Sequence, residues 1–323
     1  MLERLDKKDK QIIYELDFNA RIPLTQLAKK IGISKQVAKY RLENLQKKKI
    51  IQGFYTDINS SKLDFEIYLT YFKFQNFSSQ TEKEFIKHIS GQESIGVNAS
   101  TNGKWDYCIG IWAHNVVDFK KKYERVMNKY EKYVKEKSIM IETDFYYYKP
   151  RRILNKNLRF QIKMSEDITE YKLDETDKKI LSELSKNSRI SLVDLSTKIR
   201  LTPNGINQRI KSLEKKGIIL SYRIMINYSA LNFLHYRIFL HLEDLTKETK
   251  NKLINFLGNQ KEIISTTETI GFCDLEVRAI LENIQEFYDL IEKIRTEFPT
   301  LIKNYDSIIY HKFNQSLNYF PFN

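Results

Sequence analysis

Only two of the 323 residues are cysteine, and neither Cys108 nor Cys273 has a partner at metal-ligand spacing. A disulfide framework and a zinc cluster are both excluded as the basis of the fold. Each thiol lies in an apolar alternating run and reads as buried. No apolar run reaches the ~18–20 residues that a membrane-spanning helix requires, and no charged-then-apolar start marks a signal peptide. The expected location is the cytoplasm. The ten glycines build no phosphate-cradling loop, and neither a His-Glu-x-x-His metal site nor a Gly-x-Ser-x-Gly nucleophile turn occurs. Five histidines (His88, His114, His235, His241 and His311) are scattered, none at the same place in the repeat described next. No catalytic residue, metal ligand or cofactor is assigned from these patterns.

The chain is written twice. Displaced by 168 positions, Leu5-Asp6-Lys7-Lys8-Asp9 falls on Leu173-Asp174-Glu175-Thr176-Asp177, and roughly twenty of the next fifty residues match without a gap. The offset returns a hundred residues later, where Gly103-Lys104-Trp105-Asp106 meets Gly271-Phe272-Cys273-Asp274. Solenoid repeats run to about 20–50 residues, so this is a duplicated pair of modules. Hydrophobic content of 41% and charged content of 29% are ordinary for a globular protein.

Charge is distributed unevenly. Residues 1–52 hold 13 basic and 6 acidic side chains, residues 172–223 hold 12 and 6, and the connector 149–171 holds 6 and 3. The net charge of the whole chain is +13, so the remaining stretches are together slightly acidic. Basicity confined to one repeated module and a connector suits a polyanion-binding element.

That module reads as a helix-turn-helix. Asp6 caps a helix reaching about Phe18, with Ile12, Ile13 and Leu16 inward and Leu5 as a staple. A short helix follows from Leu24 to Lys30, then Gly32 supplies a turn. Ser34 caps a third helix to about Lys48, with Val37, Ala38, Leu42 and Leu45 inward. In the copy Asp174 and Thr202 cap, and Pro203 takes the first helical position. The segments from Ile50 and from Ile218 read as wing strands. An α-helix fits the DNA major groove, its N-terminal side chains meeting base edges. The candidate DNA-binding residues are Ser34, Lys35, Gln36, Lys39, Tyr40 and Arg41 in the first half. Their counterparts are Thr202, Asn204, Asn207, Gln208, Arg209 and Lys211. The second set is less basic, and Gly205 and Arg200 weaken its expected grip.

From Phe65 the pattern alternates with period two, and the order becomes βαββαβ in both halves. A ferredoxin-like antiparallel sheet with helices on one face is expected, its other face covered by the sheet of the other half in an intramolecular pseudo-dimer. The class is α+β: two winged helix-turn-helix modules (1–58 and 172–227) alternating with two ferredoxin-like modules (59–150 and 228–323), joined by a basic linker (151–171) able to add phosphate contacts. Tyr146-Tyr147-Tyr148-Lys149-Pro150-Arg151-Arg152 reads as an end strand running into that linker.

The motifs Leu5-Asp6…Asp9…Ile12, Asn19-x-Arg21-Ile22, Leu27-Ala28, Ile31-Gly32-Ile33-Ser34, Arg41-x-x-x-Leu45 and Thr101-x-Gly103-x-x-Asp106-Tyr107 resemble the Lrp/AsnC (feast/famine) transcription regulators, over almost the whole chain and twice. The resemblance implies double-stranded DNA as partner, dimerisation through the RAM-type sheet, and a small-molecule effector, such as an amino acid, near the Gly-x-x-Asp hairpins. Gly103, Asp106, Gly271 and Asp274 are the candidate effector residues, with turn geometry as their alternative role. Siroheme decarboxylases share this architecture and can be fused pairs, so an enzyme of that kind is the alternative function.

Overall fold

The computed structural model describes residues 5–154, 161–164, 171–243 and 245–314. Most of the expected linker, residues 155–160 and 165–170, lies outside the described residues. The first half contains α1 (Lys7–Leu16), α2 (Leu24–Ile31), α3 (Lys35–Lys47), β1 (Ile51–Ile58), β2 (Glu66–Phe74), α4 (Ser79–Ser90), β3 (Ile95–Gly103), β4 (Tyr107–Ala113), α5 (Val116–Met127) and β5 (Val134–Tyr148). After α6 (Arg151–Leu154) and β6 (Gln161–Met164) comes the copy: α7 (Glu175–Lys186), α8 (Leu192–Ile199), α9 (Pro203–Lys215), β7 (Ile219–Ile226), β8 (Leu234–Leu242), α10 (Lys247–Asn259), β9 (Ile263–Gly271), β10 (Leu275–Leu281), α11 (Ile284–Glu297) and β11 (Ile302–Phe313). Each element of the copy starts 168 residues after its original. The α+β class with two helix-turn-helix and two βαββαβ modules is what the chain adopts.

The caps form as the sequence reading expects. Asp6 accepts from Lys8 N and Asp9 N, Asp174 from Asp177 N, Ser34 from Val37 N, and Thr202 from Gly205 N. The first helix is shorter than expected, ending at Leu16 because Phe18 turns to a positive φ of 73°. The expected helix from Val116 to Tyr133 likewise stops at Met127, followed by a 3-10 turn.

The wing strands depart from a simple wing. Instead of folding back within its own module, β1 pairs antiparallel with β7, and Tyr55 lies opposite Arg223. Asn59 N to Ile218 O and Asn227 N to Ile50 O extend this ribbon at both ends. One apolar core runs through both helix-turn-helix modules, from Ile12, Leu16, Leu27 and Leu45 to Ile180, Leu184, Leu195 and Leu213.

The eight strands of the βαββαβ modules close on themselves. Neighbours follow the order β2-β4-β3-β11-β8-β10-β9-β5, and β5 returns to β2. The last strand of each half makes this possible. Residues 134–141 of β5 pair with β2, while residues 140–147 cross to β9; β11 does the same between β8 and β3. Helices α4 and α5 cover one half outside, burying Phe85, Ile89, Phe119 and Val126 against Tyr68, Phe72 and Ile109. Helices α10 and α11 cover the other. Inside, Leu69, Tyr71 and Ala99 meet Phe239, Ile308 and Tyr310. No helix among the described residues is long and apolar enough to cross a membrane.

Two predictions concern the backbone. A Cβ on Gly271 (φ +117°) would stand 2.6 Å from the Ile139 carbonyl oxygen across the β5–β9 seam. Gly271→Ala should therefore cost about 2–3 kcal/mol in urea unfolding, while Gly53→Ala, which meets nothing within 4 Å, should be nearly silent. Arg200 ends α8 at φ 62°, where the first half has Gly32 at φ 67°. A left-handed residue with a Cβ is strained by ~1–2 kcal/mol, partly offset by the entropy of glycine. Arg200→Gly should stabilise by roughly 0.5–1 kcal/mol.

Candidate nucleic-acid interface and inter-half cavity

Helix α3 turns Ala38, Leu42 and Leu45 into the core and leaves Lys35, Gln36, Lys39 and Tyr40 exposed. Tyr40 is 69% exposed. Val37 was expected to point inward and instead is 41% exposed; it stands one residue from the buried stripe, at the N-terminal end that protrudes from the core. In α9, Asn204, Gln208 and Lys211 are exposed and Asn207 is half-buried. Asn207 and Lys211 border a groove whose opposite wall is Arg21 and Gln26 of the first module. Ser34 and Thr202 use their oxygens as caps, leaving the hydroxyl hydrogens to donate outward.

Arg41 and Arg209 are placed otherwise than expected. Arg41 Nη1 lies 2.6 Å from Asp6 Oδ2 and 2.9 Å from Asp9 Oδ1, and Arg209 repeats this with Asp174 and Asp177 at 2.6 and 2.9 Å. Their guanidinium groups tie the recognition helix to the cap of the module's first helix. Backbone N–H bonds and the arginine hold the Asp6 and Asp174 carboxyls below the usual range. The motif Asp-x-x-Asp…Arg, repeated in both halves, is thus a structural clamp.

A second reciprocal pair locks the modules together. Arg21 donates to Ser188 O and Ile190 O, at 2.5 and 3.0 Å, and Arg189 to Ala20 O and Ile22 O. Each also stacks on an aromatic ring of the other half, Arg21 over Tyr222 and Arg189 over Phe54. Sequence reasoning missed this role, although Asn-x-Arg-Ile recurs in both halves.

The connector residues lose their expected freedom. Arg151 is 4% exposed and donates to Gly258 O and Gln260 O. Arg152 pairs with Glu262, Glu282 and Glu286, and Lys149 lies over the Tyr14 ring. Tyr146 and Tyr148 pack into the second half's core. These groups anchor the connector to the protein rather than offering themselves to phosphate.

At the hairpins, Asp106 accepts from Phe74 N at 2.9 Å and pairs with Lys73 Nζ at 2.7 Å. Asp274 accepts from Leu242 N at 2.7 Å. Gly103 and Gly271 let the other half's last strand approach, since a Cβ would stand 2.8 Å from Ser307 O and 2.6 Å from Ile139 O. The four residues thus occupy two separate seams, and each has a turn or packing role.

Between the β1–β7 ribbon and the barrel lies a cavity of about 190 Å³. Arg223, on the ribbon, pairs with Asp17 at 2.8 Å, stands 3.8 Å from Asp57, and is sandwiched by Phe18 and Tyr147. On the barrel side Arg237 pairs with Glu276 at 2.8 Å and with Tyr71 Oη at 2.5 Å. Arg278 links Glu276 at 2.7 Å to Glu142 at 2.9 Å. Burial pushes the Asp17, Asp57 and Glu142 carboxyls upward against the pull of these arginines. His235, closed in beside Arg278 and Arg237, has its pKa pulled down to about 3 and stays neutral. These residues lie on six strands and the turn after α1, so no local motif announces them. Among the described residues no group of three or more His, Cys, Asp or Glu could hold a metal ion.

A winged helix-turn-helix DNA-binding family matches residues 5–52 and again 173–219. An HTH-type transcriptional regulator of Pyrococcus furiosus is 35% identical over 127 residues, 39% of this chain and 82% of that protein. The leucine-responsive regulatory protein of Haemophilus influenzae is 43% identical over 72 residues, 22% of this chain and 43% of its own length. Among solved structures, the siroheme decarboxylase NirDL superposes with a TM-score of 0.61, covering 97% of this chain and 93% of its own, at 12% identity; that likeness is one of fold. With a single regulator spanned over four-fifths of its length and the helix-turn-helix matched twice, the chain belongs to the Lrp/AsnC family of transcription regulators, as a tandem duplicate.

Proposed function

We propose that the protein is a double-stranded-DNA-binding transcription regulator whose two recognition helices, α3 and α9, read two half-sites as one rigid unit. The observation that carries this is the union of exposed helix faces with a shared core. Lys35, Gln36, Val37, Lys39 and Tyr40 are presented outward, while Arg21, Arg189 and the β1–β7 ribbon fix the two modules to each other. Gln36 and Asn204 suit bidentate pairing with adenine, and Lys35, Lys39 and Lys211 suit guanine or phosphate. Ser34 and Thr202, at the two helix starts, suit phosphate, and Asn207 and Gln208 complete the second reading face. Arg41 and Arg209 serve the helices from behind. Regulation by a small metabolite completes the reading, with Gly103, Asp106, Gly271 and Asp274 acting through the seams they hold open rather than as contacts.

The decarboxylase alternative draws on the cavity, where His235 stands among three arginines. A volume of about 190 Å³ is below the ~300–1,000 Å³ of pockets for drug-sized ligands, and a tetrapyrrole is larger still. Siroheme titrated into the protein should produce no bound absorbance spectrum and release no carbon dioxide under reduction.

The regulator reading is tested by fluorescence anisotropy with promoter duplexes from the native genome. With six to ten phosphate contacts, affinity should fall about 10³–10⁵-fold between roughly 50 and 200 mM salt. Lys35→Ala with Lys39→Ala should weaken binding to every sequence and flatten the salt slope by about two. Gln36→Ala should relax base preference at one position by about 1–3 kcal/mol. Arg41→Met, by contrast, should lower stability by about 1 kcal/mol and leave the salt slope unchanged. Because the modules are locked at one separation, inserting either five or ten base pairs between half-sites should abolish two-site binding, the ten because a further turn of about 34 Å is out of reach although it restores phase. Flat salt dependence in the wild-type protein would overturn the proposal.

A further inference from the structure

None of the charged residues that line the cavity between ribbon and barrel has a charged counterpart in the other half. Applying the 168-residue offset, His235, Arg237, Ser265, Glu276 and Arg278 stand where the first half has Ile67, Leu69, Val97, Cys108 and Gly110. Arg223 likewise replaces Tyr55, and Asp57 replaces Met225. The first half shows that the same strands close the same barrel with apolar residues at these positions. Buried ion pairs add little stability over apolar packing of similar volume. A charged cluster without counterparts is therefore unexplained by folding.

Its unsatisfied atoms point to a ligand class. Among the described residues, Arg223 Nη1, Arg237 Nε, His235 Nε2 and Ser265 Oγ are buried without a hydrogen-bond partner, and all four residues line the cavity. Arg237 is 1% exposed and Arg223 7%. Two of these atoms can only donate, and the neutral imidazole and hydroxyl can donate as well. Such a wall asks for acceptors: with Arg223 Nε and Nη2 held by Asp17 and Arg237 Nη1 by Glu276 and Tyr71, Arg223 Nη1 and Arg237 Nε remain to donate to an anionic oxygen through charge-assisted bonds. The rest of the lining combines Phe145, Ile264 and Phe313, suited to a hydrocarbon body, with Asp57, Glu66 and Glu142; Glu142 is paired with Arg278 and Asp57 accepts from Ser221. A dry cavity of ~150 Å³ accepts benzene, so about 190 Å³ suits a molecule of roughly eight non-hydrogen atoms.

We propose that this cavity binds a small organic carboxylate, its anionic end held by Arg223 and Arg237 and its apolar body against the aromatic wall. If the regulator reading holds, on which this second part rests, the ligand is its effector. Arg223 belongs to the ribbon that joins the reading heads, and Arg237 to the barrel. A carboxylate shared between them bridges the two layers and biases how the heads are held. The site differs from the hairpin seams in position and in residues.

The test measures melting of the full chain, without DNA, with 10 mM benzoate, phenylacetate, 4-methylpentanoate, L-phenylalanine or L-leucine, and with phenethylamine as the amine control. At least one carboxylate should raise the melting temperature by about 2 °C or more, and phenethylamine should not. The triple variant Arg237→Leu/Glu276→Cys/Arg278→Gly takes its residues from the first half and, made in a Glu142→Gln background so that no buried carboxylate loses its Arg278 partner, should fold and lose the response. Arg223→Lys keeps the charge but removes the Nη1 donor, and should weaken binding at least tenfold by calorimetry. No shift with any carboxylate, an equal shift with the amine, or an undiminished response in the triple variant would each overturn the site. A carboxylate that raises the melting temperature should also change DNA affinity at least threefold; unchanged affinity would overturn the effector role alone. Because melting is read without DNA and the salt titration without carboxylate, failure of one proposal is distinguishable from failure of the other.

Discussion

Among the described residues, each four-stranded sheet of this chain is closed by the last strand of the other half. A four-stranded sheet in the order β5-β2-β4-β3 leaves two rows of backbone donors and acceptors unpaired, at β3 and along the far end of β5. Exposed edges of that length invite association with other chains. The extra length of β5 and β11 resolves this, since each serves its own sheet with one end and the other half's sheet with the other. The β1–β7 ribbon obeys the same logic, for neither strand has a partner within its own module. Neither half satisfies its own backbone, and the pairing is the condition on which both cores rest.

That condition governs the helix-turn-helix modules as well. Had each wing been a hairpin of its own, the two modules would hang from the barrel independently. Cross-pairing fuses them, and Arg21 and Arg189 exchange places across the seam, each donating to backbone carbonyls of the other module. Burial lowers the pKa of both guanidinium groups, for Arg189 together with the like charge of Arg21, and the carbonyl contacts and stacking on Tyr222 and Phe54 offset part of that desolvation. Ordering entropy for the relative placement of the two helices is spent during folding. Binding to a two-part site then costs correspondingly less.

Local chemistry made most of the architecture readable from the chain. Asp6, Ser34, Asp174 and Thr202 announced helix starts because a cap is a contact within three residues. The period-two run from Glu66 to Phe74 announced a strand because alternation is likewise local. The partners of β1 and β7 were illegible, since the same wing sequence can pair within or between modules. Arg41 misled for a related reason: it sits on the exposed-looking side of α3, and only its distance to Asp6 and Asp9 reveals the clamp. Val37 erred in the opposite sense, being apolar by type yet outside the buried stripe. The cavity residues were hidden because they come from elements up to 261 residues apart in numbering, from Asp17 to Arg278. One signal could have exposed them, namely subtraction of one half from the other, which leaves charges facing Leu69, Cys108 and Gly110.

The covalent duplication explains why that asymmetry can exist. Position 55 and its copy 223 lie opposite each other in the ribbon, on the pseudo-dyad itself. In a homodimer of identical chains any residue there would face its own duplicate. Arginine would face arginine, and like charges directly opposite across a strand pair are destabilising, the more so when buried. In the tandem chain Arg223 faces Tyr55 instead, and its charge is answered by Asp17 and Asp57, whose copies are Ser185 and Met225. The same holds inside the barrel, where duplicating Arg237, Glu276 and Arg278 would double the buried charge within one small interior. A single polypeptide frees each half to change alone. Buried charges without charged counterparts, around one cavity that both halves line, are a solution open to a tandem chain and closed to a symmetric pair.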